Sequence, residues 1–273
     1  MPKIAFLSDL HCEFDRRGGG RLVNDAGHPF CGPDLAPVAE GAADALILAG
    51  DIDVAPGLAT YLETVADYLS VPVIAVLGNH EFYKTDLSEV RSMAANINHQ
   101  NVFLLDDRTV VLRLAGHDVR FIGSTLWTDF RINEERTGQS QENAMRVASS
   151  ELNDFQLIAY NGHRFTPADS LELHEIAVRF IAEELDKPFE GPTVLVTHHS
   201  PSPLTEDRYQ ATPLAGSFGS NLHRLMEGSN APVAWIHGHS HEDSDVVVGH
   251  TRVASRQRGY PGEKAFEFGW LIL

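Results

Sequence analysis

The sequence predicts a mixed α/β fold, because three features recur along its 273 residues. Short aliphatic runs without charges have the pattern of strands that are covered on both faces. Segments with apolar residues at helical spacing lie between several of these runs, as in βαβ units. A β-hairpin predicted near residues 110–122 argues against an entirely parallel sheet. We therefore expect mixed strands flanked by helices.

Composition indicates one globular domain over residues 1–273. Hydrophobic residues make up 43% of the chain and charged residues 22%, values that are ordinary for a folded protein and exclude predominant disorder. The length suffices for a large core. We find no internal repeat, low-complexity segment or interdomain linker that would divide the chain.

The charge balance favours a small ligand over long nucleic acid. The chain has 21 Lys and Arg residues against 38 Asp and Glu residues, a formal net charge of −17, and no basic run. A field of this sign repels a polyanion.

Cysteine content and hydropathy predict a cytoplasmic protein. Cys12 and Cys31 are too few for a disulfide framework, which fits a reducing compartment. We expect neither a signal peptide nor a membrane span, since no apolar segment approaches about 18 residues. The sequence does not indicate an oligomeric state.

Three strands predicted in the first part of the chain each end in polar residues. They are Lys3–Leu7, Leu46–Ala49 and Val71–Leu77. The polar residues after them are Asp9 and His11, then Gly50 and Asp51, then Gly78, Asn79, His80 and Glu81. Gly50 would let the backbone turn sharply, so that Asp51 points into the crevice where α/β sheets bind ligands. Residues 12–37, rich in Gly and Pro, are predicted to form a long surface loop.

Helical spacing of apolar residues predicts four longer helices. They are Pro56–Ser70, Leu87–Ile97, Gln139–Ile158 and Pro167–Leu185. Thr166 is the expected cap of the last helix, with Pro167 in its first turn. Because the last two helices interrupt the strand pattern, we expect a helical insertion over about residues 130–188, packed beside the sheet.

Further strands are predicted around and after this helical segment. The hairpin consists of Val110–Leu114 and Val119–Ile122, separated by residues 115–118. Two apolar strands, Thr193–Val196 and Val233–Ile236, end in histidine clusters at 198–199 and 237–241. The C-terminal segments predicted as strands of a second sheet are Val246–Val248, Arg252–Ala254 and Phe266–Leu273.

Five apolar strands thus end in Asp, Asn or His, and this coincidence predicts a binuclear metal site. Each polar cluster alone is compatible with an ordinary turn or a hydrogen-bonded core histidine. Together, two acids, one amide and four histidines at one sheet edge form a set of oxygen and imidazole donors suited to Mn, Fe or Zn. A carboxylate has two oxygens and can bridge a pair of ions.

The same residues resemble the motifs of the calcineurin-like metallophosphoesterases, which have five ordered blocks. These are Asp-x-His, Gly-Asp, Gly-Asn-His-Asp/Glu, a strand-end His and Gly-His-x-His. The chain has all five, at Asp9 to His11, Gly50–Asp51, Gly78 to Glu81, His198, and Gly238 to His241. The resemblance extends over essentially the whole chain. It is greatest to a bacterial branch with similar residues at Gly78–Tyr83, Thr125–Phe130 and Trp235–His239.

The resemblance implies a four-layer αββα sandwich and two divalent or trivalent metal ions. The implied ligands of one metal are Asp9, His11, Asp51 and His241, and those of the second are Asp51, Asn79, His198 and His239. Asp51 would be the bridge. Either histidine of the His198–His199 pair could face the metal, and we favour His198.

The implied activity is hydrolysis of a small phosphomonoester or phosphodiester by a metal-bridging hydroxide. His80, which is not a ligand in the family pattern, would donate a hydrogen bond or a proton to the phosphate ester. The alternatives are a nuclease of the same fold and a non-catalytic protein-binding scaffold, although a scaffold would be expected to lose ligands.

Three further side chains are left with two interpretations each. Asp53 and Glu81 could orient histidines or lie on a solvated face. Arg258 could reach the phosphate or pack its own loop, because residues 255–257 depart from the Asn-Pro that we expect before Arg-Gly-Tyr in similar proteins.

Overall fold

The computed structural model describes residues 1–16, 31–41, 43–205 and 208–273. The strands are β1 (Lys3–Leu7), β2 (Ala45–Ala49), β3 (Val73–Val76), β4 (Val102–Leu104), β5 (Arg108–Leu114), β6 (His117–Ser124), β7 (Ala159–Tyr160), β8 (His163–Arg164), β9 (Thr193–Thr197), β10 (Ala234–Ile236), β11 (Ser244–Val248), β12 (Thr251–Ser255) and β13 (Gly269–Ile272).

The helices are α1 (Cys12–Arg16), α2 (Ala36–Glu40), α3 (Ala55–Leu69), α4 (Leu87–Ala95), α5 (Glu134–Thr137), α6 (Gln141–Glu151), α7 (Asp154–Leu157) and α8 (Pro167–Leu185). Thr166 caps α8 as expected: its side chain accepts a hydrogen bond from the N–H of Asp169, whose carboxylate in turn accepts one from the N–H of Thr166. Among the described residues, no helix is long and apolar enough to cross a membrane.

Two mixed sheets form the centre of the molecule. The first has the order β13-β1-β2-β3-β4, in which only β13 is antiparallel to its neighbour. The second has the order β11-β12-β10-β9-β6-β5, with antiparallel pairs at both edges and parallel strands between them. Strands β7 and β8 form a separate small hairpin.

The sheets pack face to face, and helices cover both outer faces. Ile4 and Phe6 of β1 lie in the core between the sheets, together with Phe121 of β6. The alternate residues of β1, Ala5 and Leu7, share a second core with α3. This two-sided burial explains why β1 is apolar at successive positions.

A third core lies between the second sheet and α8. There Ile181 and Leu185 join Trp235 of β10 in one buried cluster. The layers are therefore helix, sheet, sheet and helix, which confirms the predicted four-layer αββα sandwich. Helices α5 to α8 lie within the predicted insertion at residues 130–188, and α8 forms one outer layer of the sandwich.

Several predicted boundaries are wrong in detail. The helix predicted over residues 139–158 is divided into α6 and α7, because the backbone at Leu152 is extended, with φ −95° and ψ 138°. The predicted hairpin loop is shorter: His117 pairs with Leu114, so only Ala115 and Gly116 form the turn. Within the loop predicted over residues 12–37, α1 and the start of α2 are helical, while residues 17–30 lie outside the described part.

The C-terminal strand was assigned to the wrong sheet. Strand β13 pairs with β1 in the first sheet, with Lys3 opposite Ile272. Of the three C-terminal strands, only β11 and β12 belong to the second sheet. Strand β4 was not predicted, because three residues are too short to show a pattern. Apolar alternation identifies a strand but does not identify its partner.

Candidate metal centre

The predicted polar strand ends meet at one end of the sandwich, but they come from both sheets. Strands β1, β2 and β3 deliver Asp9, Asp51 and Asn79 from the first sheet. Strands β9 and β10 deliver His198 and His239 from the second. The expectation of a single sheet edge is therefore wrong, because buried strands of either sheet have the same sequence pattern.

One group of donor atoms consists of Asp9, His11 and His241. Their candidate ligand atoms lie within 4.8 Å of one another. Nε2 of His11 is 2.9 Å from Nε2 of His241, which is 3.6 Å from Oδ1 of Asp9. Three donors from the two sheets thus converge on one point.

A second group consists of Asp51, His198 and His239, whose candidate ligand atoms also lie within 4.8 Å of one another. Nε2 of His198 is 3.3 Å from Oδ1 of Asp51 and 3.0 Å from Oδ1 of Asn79. The other oxygen of Asp51, Oδ2, is 3.7 Å from Nε2 of His11 in the first group. The two carboxylate oxygens of Asp51 therefore face different groups.

The two adjacent histidines at 198–199 have different contacts. His198 lies beside Asp51, and its Nδ1 hydrogen-bonds to the carbonyl oxygen of Ala49 at 2.9 Å. His199 is also buried, but its Nδ1 hydrogen-bonds to the carbonyl oxygen of Thr125 at 3.1 Å. The predicted member of the pair, His198, is thus the one whose Nε2 faces Asp51 and Asn79.

The backbone at this end of the sandwich adopts an unusual conformation. Five of the predicted ligands have left-handed φ angles between 49° and 80°: Asp9, His11, Asp51, His239 and His241. Such angles are uncommon for residues other than glycine, and they concentrate at functional sites. The chain therefore turns abruptly after β1, β2 and β10, where these five residues lie.

Two glycines allow the close approach of the strand ends. A Cβ atom on Gly78 would lie 2.1 Å from Oδ1 of Asp51. A Cβ atom on Gly50, where φ is +85°, would lie 2.5 Å from Nδ1 of His198. The Gly-Asp and Gly-Asn pairs of the sequence thus have a steric origin.

Glu81 binds backbone N–H groups, and within the described part of the chain it has no hydrogen bond to a histidine. Its Oε1 accepts hydrogen bonds from the N–H groups of Ile52 and Asp53 at 2.6 and 3.2 Å. Its Oε2 accepts from those of Gly78 and Asp51 at 2.6 and 3.2 Å. Glu81 is fully buried, so the solvated-face interpretation is wrong, and the same holds for the fully buried Asp53.

The predicted catalytic residue, His80, lies at the boundary between the donor groups and the cleft. Its Nε2 is 4.0 Å from Oδ2 of Asp51, and its Nδ1 hydrogen-bonds to Glu13 at 2.9 Å. Burial lowers the pKa of His80, but the Asp51 and Glu13 carboxylates outweigh burial and raise it to about 9. Before any cation binds, the ring is therefore protonated on both nitrogens at neutral pH.

Three acids that were not predicted from the sequence hydrogen-bond to the side chains of predicted ligands. Glu13 hydrogen-bonds to Nδ1 of His11 at 3.3 Å, and Glu263 to Nδ1 of His241 at 2.8 Å. Asp154 accepts a hydrogen bond from Nδ2 of Asn79 at 2.8 Å. These acids lie in helices or loops and belong to no block, so the sequence gives no signal for Asp154 or Glu263.

The electrostatics of the site suit cations. Burial raises the pKa of Asp51, but His198, His80 and His11 lower it more, so that its net pKa lies well below the usual range. Burial, followed by the neighbouring His199 and His198, lowers the pKa of His239 well below that of a free imidazole. The Nε2 atom of His239 is buried without a hydrogen-bond partner. A neutral imidazole with an available nitrogen is the form that binds a metal.

The comparisons with known proteins identify the family. Residues 2–243 match the family model described as calcineurin-like phosphoesterase. The chain belongs to the calcineurin-like phosphoesterase family. A phosphoesterase of this family is a metal-dependent phosphoric ester hydrolase, and the family implies a dimetal centre, which the Asp and His groups described above could hold.

Similar proteins include one relative by sequence and several by structure. An uncharacterized protein, L509, of Acanthamoeba polyphaga mimivirus is 26% identical over 212 residues, 70% of this chain and 69% of that protein. The fold is similar to that of phosphopantetheinyl hydrolase (PptH) from Mycobacterium tuberculosis, with a TM-score of 0.70, 18% identity, and coverage of 99% and 96% of the two chains. A dimetal phosphatase from Danio rerio gives a TM-score of 0.49 at 16% identity, over 94% of this chain and 87% of that one.

A cleft of about 200 Å³ opens onto the donor groups of this phosphoesterase. Asp51, His80 and His239 line its floor, and Tyr260 and Arg208 line its mouth. Arg208 donates a hydrogen bond to Glu263 at 2.8 Å. Arg208 is the only Lys or Arg among the described residues that line the cleft.

Arg258 does not line this cleft. Its guanidinium donates hydrogen bonds to both carboxylate oxygens of Asp15, at 2.9 and 3.1 Å, and to the carbonyl oxygen of Leu10. These contacts favour the loop-packing interpretation, in which Arg258 fastens α1 behind the site.

We expect Glu81→Gln to disrupt the site. In either orientation the amide NH2 would face two backbone N–H groups, and each buried donor left unsatisfied costs about 1–3 kcal/mol. The expected result is a lower urea midpoint and a lower metal content after dialysis against Mn²⁺. The matched control is Glu151→Gln on the exposed rim of the cleft, which should change neither; an unaltered Glu81→Gln protein would contradict the proposed role of Glu81.

Proposed function

We propose that the protein hydrolyses a small phosphomonoester or phosphodiester with two metal ions. Asp9, His11, Asp51 and His241 would hold one ion, and Asp51, Asn79, His198 and His239 the other. The observation that carries this proposal is the position of Asp51, whose Oδ1 lies 3.3 Å from His198 and whose Oδ2 lies 3.7 Å from His11.

The spacing of the donor atoms supports two cations. Ligands about 2.0–2.2 Å from one ion, at tetrahedral or octahedral angles, lie roughly 2.8–3.6 Å from one another. Five pairs of these donor atoms lie 2.9 to 3.7 Å apart. Imidazole, carboxylate and amide oxygen donors suit Mn, Fe or Zn.

Bound cations would supply a hydroxide at neutral pH and would neutralise the phosphoryl oxygens. The protein's own contribution begins with His80, which faces the cleft beside Asp51. Glu13 holds Nδ1 of His80, and Nε2 lies 4.0 Å from Oδ2 of Asp51, beside which we propose that the ester oxygen binds. We assign His80 to proton donation to the leaving oxygen or to stabilisation of the phosphoryl group.

The cleft supports a small substrate. Its volume of about 200 Å³ fits a phosphate group with a short substituent. The carboxylates that line it, Asp51, Glu151 and Asp154, and the net charge of −17 disfavour long nucleic acid. The complete donor set argues against a non-catalytic scaffold.

A panel of substrates assayed with Mn, Fe, Zn and Mg in turn tests the proposal. It contains nucleotides, cyclic nucleotides, nitrophenyl esters, a phosphopantetheine ester and duplex DNA; the phosphopantetheine ester is included because the similar structure from Mycobacterium tuberculosis is named for that chemistry. We expect metal-dependent hydrolysis of small esters and poor cleavage of DNA at ~100 mM salt. Efficient, salt-sensitive DNA cleavage would favour the nuclease, and a lack of hydrolysis of every ester with every metal would favour the scaffold.

We expect His80→Ala to impair alkyl esters far more than nitrophenyl esters. An alkoxide needs a proton in order to leave, whereas a nitrophenolate departs without one. General acid catalysis contributes about 10²–10⁴-fold, so the difference in kcat/KM should be large.

The metal content of His80→Ala should stay at the wild-type value. His117→Ala, in the exposed hairpin, is the control for loss of a histidine. Equal losses for both ester classes would assign His80 to the phosphoryl oxygens instead, and loss of metal would assign it to construction of the site.

A further inference from the structure

The side chain of Asn79 is held from both ends. Its Nδ2 donates hydrogen bonds to Oδ1 of Asp154 at 2.8 Å and to the hydroxyl of Tyr83 at 3.1 Å. The Tyr83 hydroxyl donates to the same Oδ1 of Asp154 at 2.8 Å, which closes a triangle. At the other end, Oδ1 of Asn79 is 3.0 Å from Nε2 of His198.

The orientation of this amide determines whether Asn79 can bind a cation. The carbonyl oxygen of an Asn side chain has lone pairs, whereas its NH2 group only donates. The oxygen and the NH2 group of the amide have nearly the same shape, so van der Waals packing alone does little to select one orientation of the side chain. Oδ1 of Asp154 accepts hydrogen bonds and therefore selects the NH2 end, which leaves the oxygen on the side of His198.

Asp154 makes this contact from a part of the chain that is distant in sequence. It is the first residue of α7, which belongs to the helical segment at 130–188, and it lies 75 residues from Asn79 along the chain. Only 6% of Asp154 and 4% of Asn79 is exposed. Burying a polar group costs free energy unless the group is hydrogen-bonded. The hydrogen bond to Asn79 therefore helps to fix the position of this carboxyl group at the start of α7. Phe155, the next residue, packs in the second core, which β1 shares with α3.

We propose that Asp154, together with Tyr83, is a positioning residue that makes Asn79 an oxygen ligand for the ion on the His198 side. The inference rests on the proposed function, because it concerns one of the two cations. It assigns the helical segment a direct part in the metal centre. Residues that hold a metal ligand from behind typically change metal affinity about 10–100-fold when they are removed.

The other donor group has its own positioning acid, which provides a matched control. Glu263 hydrogen-bonds to Nδ1 of His241 at 2.8 Å and belongs to the group of Asp9 and His11. If each acid acts on its own group, loss of Asp154 and loss of Glu263 should weaken different ions.

The experiment uses the full chain in an Asp9→Asn background, where about one Mn²⁺ per protein is expected to remain, on the His198 side. Equilibrium dialysis with Mn²⁺ and elemental analysis measure its affinity. We expect Asp154→Leu to raise the Kd of this ion about 10–100-fold and Glu263→Leu to leave it unchanged. Asp154→Asn should restore affinity, because its side-chain carbonyl can accept the same hydrogen bond; a purely structural effect would not depend on this acceptor.

Thermal unfolding without Mn²⁺ shows whether each variant is folded. If Asp154→Leu fails to fold, Tyr83→Phe is used in its place and should weaken the same ion, because it removes the other acceptor of Nδ2. An Asp154→Leu or Tyr83→Phe protein that binds Mn²⁺ as tightly as the background would overturn the positioning role alone. A wild-type protein that binds no Mn²⁺, Fe or Zn would overturn the metal assignment and this inference with it.

Discussion

The buried carboxylate of Asp51 is the group on which the rest of the site depends. Only 2% of this residue is exposed, and a buried charge is costly unless partners compensate it. Imidazole nitrogens of His198, His80 and His11 lie 3.3 to 4.0 Å from its two oxygens, and the backbone N–H of His80 donates a hydrogen bond to Oδ1. They keep the pKa of Asp51 well below its usual range despite burial, so the anion persists. An anion held between two sets of nitrogen and oxygen donors is a natural centre for two cations.

Building this arrangement strains the backbone, and the sandwich supports the strain. Left-handed φ angles at residues other than glycine cost about 1–3 kcal/mol each, and five predicted ligands have them. The buried strands of the two sheets fix the positions of the residues that follow them. Glu81 accepts four backbone hydrogen bonds from the turns after β2 and β3. Burial and the Asp51 carboxylate raise the pKa of Glu81 to about 8, so cations beside Asp51 would favour its ionised form.

The sequence predicted most of the fold and the donor residues because both have local signals. Apolar runs identify strands, and a polar residue after such a run lies at a strand end, as Asp9 and Asn79 do. The sheet to which a strand belongs has no local signal, which is why β13 was misassigned. The same limit applies to Asp154 and Glu263: each is one acid among many, and only its distance to Asn79 or His241 reveals its role.

The central claim is that Asp51 is shared between two metal ions, and metal analysis of two variants tests it most directly. Asp51→Asn and Asp9→Asn are purified in parallel, loaded with Mn²⁺ and dialysed, and their bound metal is compared with that of the wild type. Because Asp51 faces both donor groups and Asp9 only one, we expect Asp51→Asn to lose both ions and Asp9→Asn to lose about one. Equal loss of a single ion in both variants would contradict the shared carboxylate.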